Sequence, residues 1–279
     1  MLTIDKFSVE KLFADFQGMK VLVIGDIMVD SYIWGRVERI SPEAPVPVVS
    51  VTKRENRLGG AANVALNIQS LGAVPLLCSI SGNDQKANEF SQLLEKNHIS
   101  SSGILRSDKR ITTTKFRVIG NNYQMLRVDE EQAHALTQPE TRAFYNHIER
   151  IALAEKPQAI LFEDYDKGAI DIALITWVVE LAERLKIPVA VDPKKKNFSS
   201  YKNTTLFKPN YKELCDGLKI ENIQRTPEEL LKICSGFQHF HNIAKMILTL
   251  SEQGVFISSI NKFGVAEGAM IPARIRNVA

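Results

Sequence analysis

The chain has 279 residues, of which 44% are hydrophobic and 24% charged, and carries a formal net charge of +3. That length and composition suit one large α/β domain, and so small a net charge gives no case for nucleic acid or an anionic membrane as partner. Cys78, Cys215 and Cys234 are widely spaced and odd in number, which offers no paired zinc or redox motif and points to free thiols in a reducing compartment.

Residues 1–16, with Asp5, Glu10 and Asp15, read as a short amphipathic helix rather than a secretory signal. No apolar run approaches a membrane span, so a cytoplasmic protein is expected. The apolar run Lys20-Val21-Leu22-Val23-Ile24 ends in Gly25, as in a strand buried on both faces of a parallel sheet. Asp26 and Asp30 then fall at its carboxyl end, where open α/β sheets bind ligands and where a carboxylate can accept from several hydroxyls. Pro42, Pro45 and Pro47 forbid a helix in residues 40–49 and suit an exposed extended edge. Gly59-Gly60-Ala61-Ala62-Asn63 opens a helix, either for close approach of a ligand or for tight packing.

Further on, the pattern predicts helix 61–71, strand 74–80, helix 85–96, strand 159–162, helix 170–185, and strands 188–191 and 205–207. Helices 211–218 and 227–240, strand 246–250 and an antiparallel edge hairpin over 254–260 and 265–271 complete it. Strands alternating with helices imply a mostly parallel sheet covered on both faces. Residues 31–52 and 112–128 do not fit that alternation and read as a small antiparallel sheet inserted into a single domain spanning 1–279.

Lys115 and Arg117 share one face of a predicted strand. With Asn121-Asn122 as a two-residue turn, Gln124, Leu126 and Val128 fall on that face, and Phe116, Val118, Tyr123, Met125 and Arg127 on the other. The two cations either discourage edge pairing or face an anionic substrate such as a sugar phosphate. Asp164 and Lys167, in Glu163-Asp164-Tyr165-Asp166-Lys167-Gly168, and Asp192 and Lys194, in Asp192-Pro193-Lys194, follow strand ends. They suit sugar hydroxyls, magnesium or phosphates, or a solvated loop. Asn210 followed by Glu213 is a capping pattern, and Thr249 to Gly254 a strand end and turn. The five histidines form no ligand set, and no P-loop is present.

These motifs together resemble the ribokinase-like (PfkB) carbohydrate kinases, closest to the heptose 7-phosphate kinases that form the N-terminal half of bifunctional ADP-heptose synthases. The resemblance runs from about Val21 to the end of the chain. It implies a ribokinase-like fold whose antiparallel sheet is a lid, and ATP-dependent phosphorylation of the anomeric hydroxyl of a heptose 7-phosphate. Asp30, Gly59, Gly60, Asn63 and Asp164 would hold the sugar, and Lys115, Arg117 and Lys167 its distal phosphate. Asp192, Lys194, Asn210, Glu213, Thr249, Ser251 and Gly254 would serve ATP, with Glu213 reaching Mg2+ through water.

An apolar face of Phe116, Val118, Tyr123 and Met125 turned away from the substrate, with a second exposed strand bordered by Pro42, Pro45 and Pro47, leads to the expectation of a homodimer through the lid, and the resemblance implies a fused or separate nucleotidyltransferase. Ala61, where many relatives carry Lys, matches the heptose kinases. The family's Gly-Ala-Gly-Asp segment, which supplies the general base, does not occur in the sequence. It is expected beyond Ala279, so the C-terminal part of the fold is expected to be absent and no catalytic base is assigned. The alternatives are a kinase of the same fold for an unphosphorylated ketose or sugar acid, and a non-catalytic sugar-phosphate or nucleotide-binding protein.

Overall fold

The computed structural model describes residues 6–221 and 223–274. The first half runs α1 (Lys6–Asp15), β1 (Lys20–Gly25), β2 (Ile27–Ile40), β3 (Pro47–Gly60), α2 (Ala61–Ser70), β4 (Val74–Gly82), α3 (Gln85–Lys96), β5 (Ile104–Ser107), β6 (Thr114–Gly120), β7 (Tyr123–Glu130) and α4 (Gln138–Glu155). The second runs β8 (Ala159–Glu163), α5 (Ile172–Leu185), β9 (Val189–Asp192), β10 (Leu206–Phe207), α6 (Tyr211–Leu218), α7 (Pro227–His241), β11 (Lys245–Thr249), β12 (Val255–Ile260) and β13 (Ala266–Ile271).

Nine strands form one sheet in the order β13-β12-β11-β10-β9-β8-β1-β4-β5. Its pairings are parallel except those of the edge hairpin β12 and β13. Side chains of β1 alternate between two cores, as the period of a strand requires. Leu22 and Ile24 join Phe144 and Ile148 of α4, Leu174 and Val178 of α5, Leu214 of α6 and Phe237 of α7. Val23 joins Ala61 and Ala65 of α2 and Phe90 and Leu94 of α3. The helices therefore cover both faces, and the carboxyl ends of β1, β8, β9 and β10 open together along one edge.

The second sheet, in the order β3-β2-β6-β7, is the expected inserted sheet, called the lid below; the expectation that it is antiparallel is corrected, because β2 pairs β6 in parallel and only β2 with β3 and β6 with β7 run antiparallel. Its strands reach further than the expected 31–52 and 112–128. β2 begins at Ile27, β3 ends at Gly60 and β7 ends at Glu130, because Ile27 to Asp30 stay paired with Arg57 to Gly60. Asp30 and Gly59 consequently lie in the lid strands themselves, at their base. The proline segment forms the far tip, with Pro47 opening the edge strand β3.

The expected Asn121-Asn122 turn is present, both residues having left-handed backbone (φ 51° and 68°). The facing of β7 is corrected. A bulge leaves Met125 unpaired between the pairs Ile119/Gln124 and Val118/Leu126, and one extra residue flips every later side chain to the opposite face. Arg127 and Asp129 therefore share the face of Arg117 and Lys115, while Leu126 and Val128 share that of Val118 and Phe116.

Sequence reasoning did not place β5 or α4. The latter carries legible signals: a capping box from Thr137 to Glu140, Pro139 in the first turn, and buried Phe144, Ile148, Ile151 and Ala152 at helical spacing. The N-terminal helix starts at Lys6, and residues 275–279, next to which the Gly-Ala-Gly-Asp segment was expected, lie outside the described residues.

Candidate active site

Asp26 and Asp164 build the floor of the site. Asp26 is 3% exposed, and its carboxylate accepts from the backbone N–H of Tyr165 (2.9 Å), Lys167 (3.1 Å) and Ala169 (3.1 Å). Burial raises its pKa even against these donors. Asp164 is 1% exposed; its Oδ2 accepts from Asn197 Nδ2 (2.9 Å) and Tyr201 Oη (2.8 Å) and its Oδ1 from the Asp166 N–H (2.9 Å). Asp164 was expected to bind sugar hydroxyls; buried and holding three protein donors, it fixes the loop after β8. Asp26, whose position also favoured a sugar contact, does the same from β1.

Above that floor lies the base of the lid. Asp30 on β2 takes a hydrogen bond from Arg117 Nη1 at 2.5 Å, and a Cβ on Gly59 would lie 2.5 Å from Asp30 Oδ2, so only glycine fits beneath that carboxylate. Gly60 has φ 58°, and the N–H of Ala61 donates to Asp26 O at 2.9 Å, which seats the N-terminus of α2 against β1. Asn63, in the first turn of α2, is exposed. Arg117 also lies 5.3 Å from the centre of the Tyr32 ring, whose surroundings include Arg57 at 4.7 Å and a stacked Trp34 at 6.0 Å. Lys115 pairs with Asp129 (3.5 Å) and Glu131 (3.8 Å), and Lys167 with Glu131 (2.8 Å). Asp30, Lys115, Arg117 and Lys167 are therefore brought together, as expected, with their charges matched internally.

A second cluster sits at the ends of β8, β9 and β10. Glu163 and Asp192 are register partners across the two strands. Lys208 Nζ lies 2.6 Å and Lys194 Nζ 3.9 Å from Asp192, and Lys194 also binds Glu213. Burial first, and Asp192 second, push the Glu163 carboxyl up to about 7 against the pull of Lys208 and Lys194. Burial opposes the charge on Lys194, but Glu213, Asp192 and Glu163 together hold its pKa above the ordinary lysine range. Glu163 and Lys208 were given no role from the sequence. Their signal was position, since both follow or end strands of the site edge. Lys195 and Lys196 are exposed.

The capping box at α6 is complete: Asn210 Oδ1 accepts from the Glu213 N–H, and Glu213 Oε2 from the Asn210 N–H, each at 2.8 Å. The other Glu213 oxygen is on Lys194, so each oxygen of Glu213 has one partner in the protein. Among the described residues no three His, Cys, Asp or Glu side chains form a metal-binding group. Magnesium would therefore have to be held mainly by phosphate and water, as it prefers, with Glu213 at one remove.

Beside this cluster a groove of ≈ 810 Å³ is lined by Asn210, Thr249, Ser251 and Gly254 and walled by Tyr211 and Arg225. The guanidinium of Arg225 lies 4.1 Å from the centre of the Tyr211 ring. Gly254 has φ 96°, and a Cβ there would fall 2.1 Å from Ile271 O, so glycine is required for the edge hairpin to border the groove. The size and mixed lining suit a nucleotide. The two clusters adjoin through Tyr165, whose N–H is on Asp26 and whose ring lies 5.4 Å from Lys194. Another cavity, of ≈ 480 Å³ among Gln69, His98 and Arg150, opens at the other end of the strands and touches none of these groups.

The parallel sheet, the inserted lid and two polar clusters along one strand edge define a sugar kinase architecture. Residues 19–278 match the pfkB family carbohydrate kinase model, and the chain belongs to that family. It is 39% identical over 239 residues to the bifunctional protein HldE of Helicobacter pylori (strain J99), covering 85% of this chain and 50% of that protein. Against HldE of Geobacter sulfurreducens the identity is 35% over 256 residues, or 90% of this chain and 50% of that protein. The chain thus spans about half the length of the curated relatives it matches. In fold it is similar to phosphofructokinase-2 from Escherichia coli in complex with fructose-6-phosphate, with a TM-score of 0.71, 17% identity and coverage of 94% of this chain and 82% of that one. Arabidopsis thaliana ribokinase complexed with ribose and ATP gives a TM-score of 0.65 at 13% identity, covering 91% and 78%.

Proposed function

We propose that the chain is the kinase part of a protein that phosphorylates the anomeric hydroxyl of a heptose 7-phosphate with ATP. The observation that carries this reading is the convergence of Lys115, Arg117 and Lys167, from a lid strand and the loop after β8, beside Asp30 and Gly59. Three cations in so small a space suit an acceptor that already bears a phosphate. Likeness to the HldE proteins supports the heptose.

In this reading Asp30 and Asn63 hold sugar hydroxyls, and Lys115, Arg117 and Lys167 hold the distal phosphate. Gly59 and Gly60 let the sugar approach the backbone. Asp192, Lys194, Asn210 and Glu213 attend the nucleotide phosphates, with Thr249, Ser251 and Gly254 along the groove. Magnesium, bound with ATP, neutralises charge on the transferring phosphoryl group. Since the sequence contains no Gly-Ala-Gly-Asp segment, none of its residues is assigned as general base. Asp164 is withdrawn from the acceptor set and kept as a support for the loop that carries Lys167.

The same reading makes the protein a cytoplasmic homodimer joined through the lid, working with a fused or separate nucleotidyltransferase towards ADP-heptose and the lipopolysaccharide core. No helix among the described residues is long and apolar enough to cross a membrane. The test is phosphoryl transfer from ATP by the native protein, followed by phosphorus NMR. A new anomeric phosphate on heptose 7-phosphate is expected; transfer only to unphosphorylated ketoses or sugar acids rejects the reading.

A further inference from the structure

We infer that Glu131 is an internal stand-in for the anionic group of the substrate, and so sets how strongly the site selects a phosphorylated acceptor. The inference rests on the kinase reading above. Glu131 directly follows β7 at the base of the lid. Its Oε1 accepts from Lys167 Nζ at 2.8 Å and its Oε2 lies 3.8 Å from Lys115 Nζ. The two lysines come from different parts of the chain, and their side chains are only 18% and 17% exposed, whereas that of Glu131 is 30% exposed.

Two ammonium groups in a partly desolvated place need an anion, because an unpaired buried charge is costly. When no ligand is present Glu131 supplies it for Lys167 and shares Lys115 with Asp129, which lies 3.5 Å from that ammonium. A phosphate brings more charge and more acceptor oxygens than a carboxylate, and to reach both lysines it has to displace Glu131 or share them with it. The displacement is easy, since partly exposed ion pairs are weak. Glu131 therefore competes with anions and not with neutral sugars. A purely structural strap between lid and loop would behave differently: it would help every acceptor by holding the lid in place.

The test is calorimetric titration of heptose 7-phosphate and of unphosphorylated heptose into the wild-type protein and Glu131→Gln, with melting curves for both. Glutamine keeps the shape and an acceptor oxygen while removing the charge. The variant is expected to bind the phosphorylated sugar about two- to tenfold more tightly, the range set by the weakness of such pairs. Affinity for the unphosphorylated sugar should not move, and the gain should shrink in high salt. A folded variant that binds the phosphorylated sugar equally or more weakly overturns the inference. If Glu131→Gln does not fold, Glu131→Asp, too short to span both lysines, takes its place with the same direction expected. Wild-type protein that does not distinguish the two sugars contradicts the acceptor assignment itself and this inference with it; preference present in the wild type and unchanged in the variant overturns the inference alone.

Discussion

Arg117 of β6 reaches across to Asp30 of β2, with Nη1 2.5 Å from Oδ1, so that a proposed phosphate ligand and a proposed hydroxyl ligand are held by each other. The parallel register sets Tyr32 opposite Arg117 and Asp30 opposite Lys115, which puts the pair diagonally across two strands on one face. The two residues should consequently be coupled. Arg117→Ala is expected to lower kcat/KM for heptose 7-phosphate by roughly 10- to 150-fold, the worth of a charge-assisted hydrogen bond, with ATP affinity nearly unchanged. Asp30→Ala should impair phosphorylated and unphosphorylated acceptors alike. The double variant should lose less than the sum of the two, and strict additivity in kcat/KM would show that the pair is incidental.

The bulge at Met125 revises which lid residues form the apolar face. Leu126 and Val128, 55% and 44% exposed, lie with Phe116 and Val118 on the face opposite Lys115 and Arg117. If that face joins two copies, Leu126→Asp with Val128→Asp should convert a dimer to a monomer in sedimentation velocity, as charges placed in an apolar contact oppose its burial. A wild-type protein that sediments as a monomer at all concentrations rejects the lid dimer.

Glu163 gives the fold a pH dependence of stated sign. Its folded pKa, about 7, lies above the ordinary glutamate value of 4.5, so folding favours the protonated form. The associated stability is complete below about pH 4.5 and is lost as pH rises through about 7. Glu163→Gln should therefore raise the melting temperature at pH 8 and change it little at pH 5. Equal shifts at the two pH values would assign the effect to packing.

Asn210 serves both the helix cap and, as proposed, the nucleotide phosphates. Asn210→Ala should cost about 1 kcal/mol of stability in denaturant unfolding and also free Glu213 to turn from the cap. Asn210→Ser, a good cap, should restore the stability. Restored stability with ATP binding still weakened would separate the two roles; complete recovery of both would leave only the cap.

The strands and helices of the parallel sheet were legible because continuous apolar runs, caps and turns mark them locally: α3 and α6 fall on the predicted residues. That Lys115 and Arg117 share a face was legible from their spacing on a strand, but the approach of Lys167 to them was legible only through the family resemblance, since it comes from a loop far along the chain. What could not be read was where carboxylates spend their hydrogen bonds. Asp26 and Asp30 look alike four residues apart in sequence, yet one is buried under three backbone N–H groups and the other faces Arg117. Asp164 is similarly consumed by Asn197 and Tyr201, more than thirty residues away. The lid register also escaped, because a bulge leaves no mark in a polar and apolar alternation until the partner strand is known.

The most direct test of the account compares kcat/KM of the native protein for heptose 7-phosphate and for unphosphorylated heptose, with ATP and magnesium in excess. The account predicts at least a tenfold preference for the phosphorylated acceptor, the order expected from one charge-assisted contact or more. Equal use of the two sugars, or a preference for the unphosphorylated one, would contradict the assignment of Lys115, Arg117 and Lys167 and with it the proposed substrate.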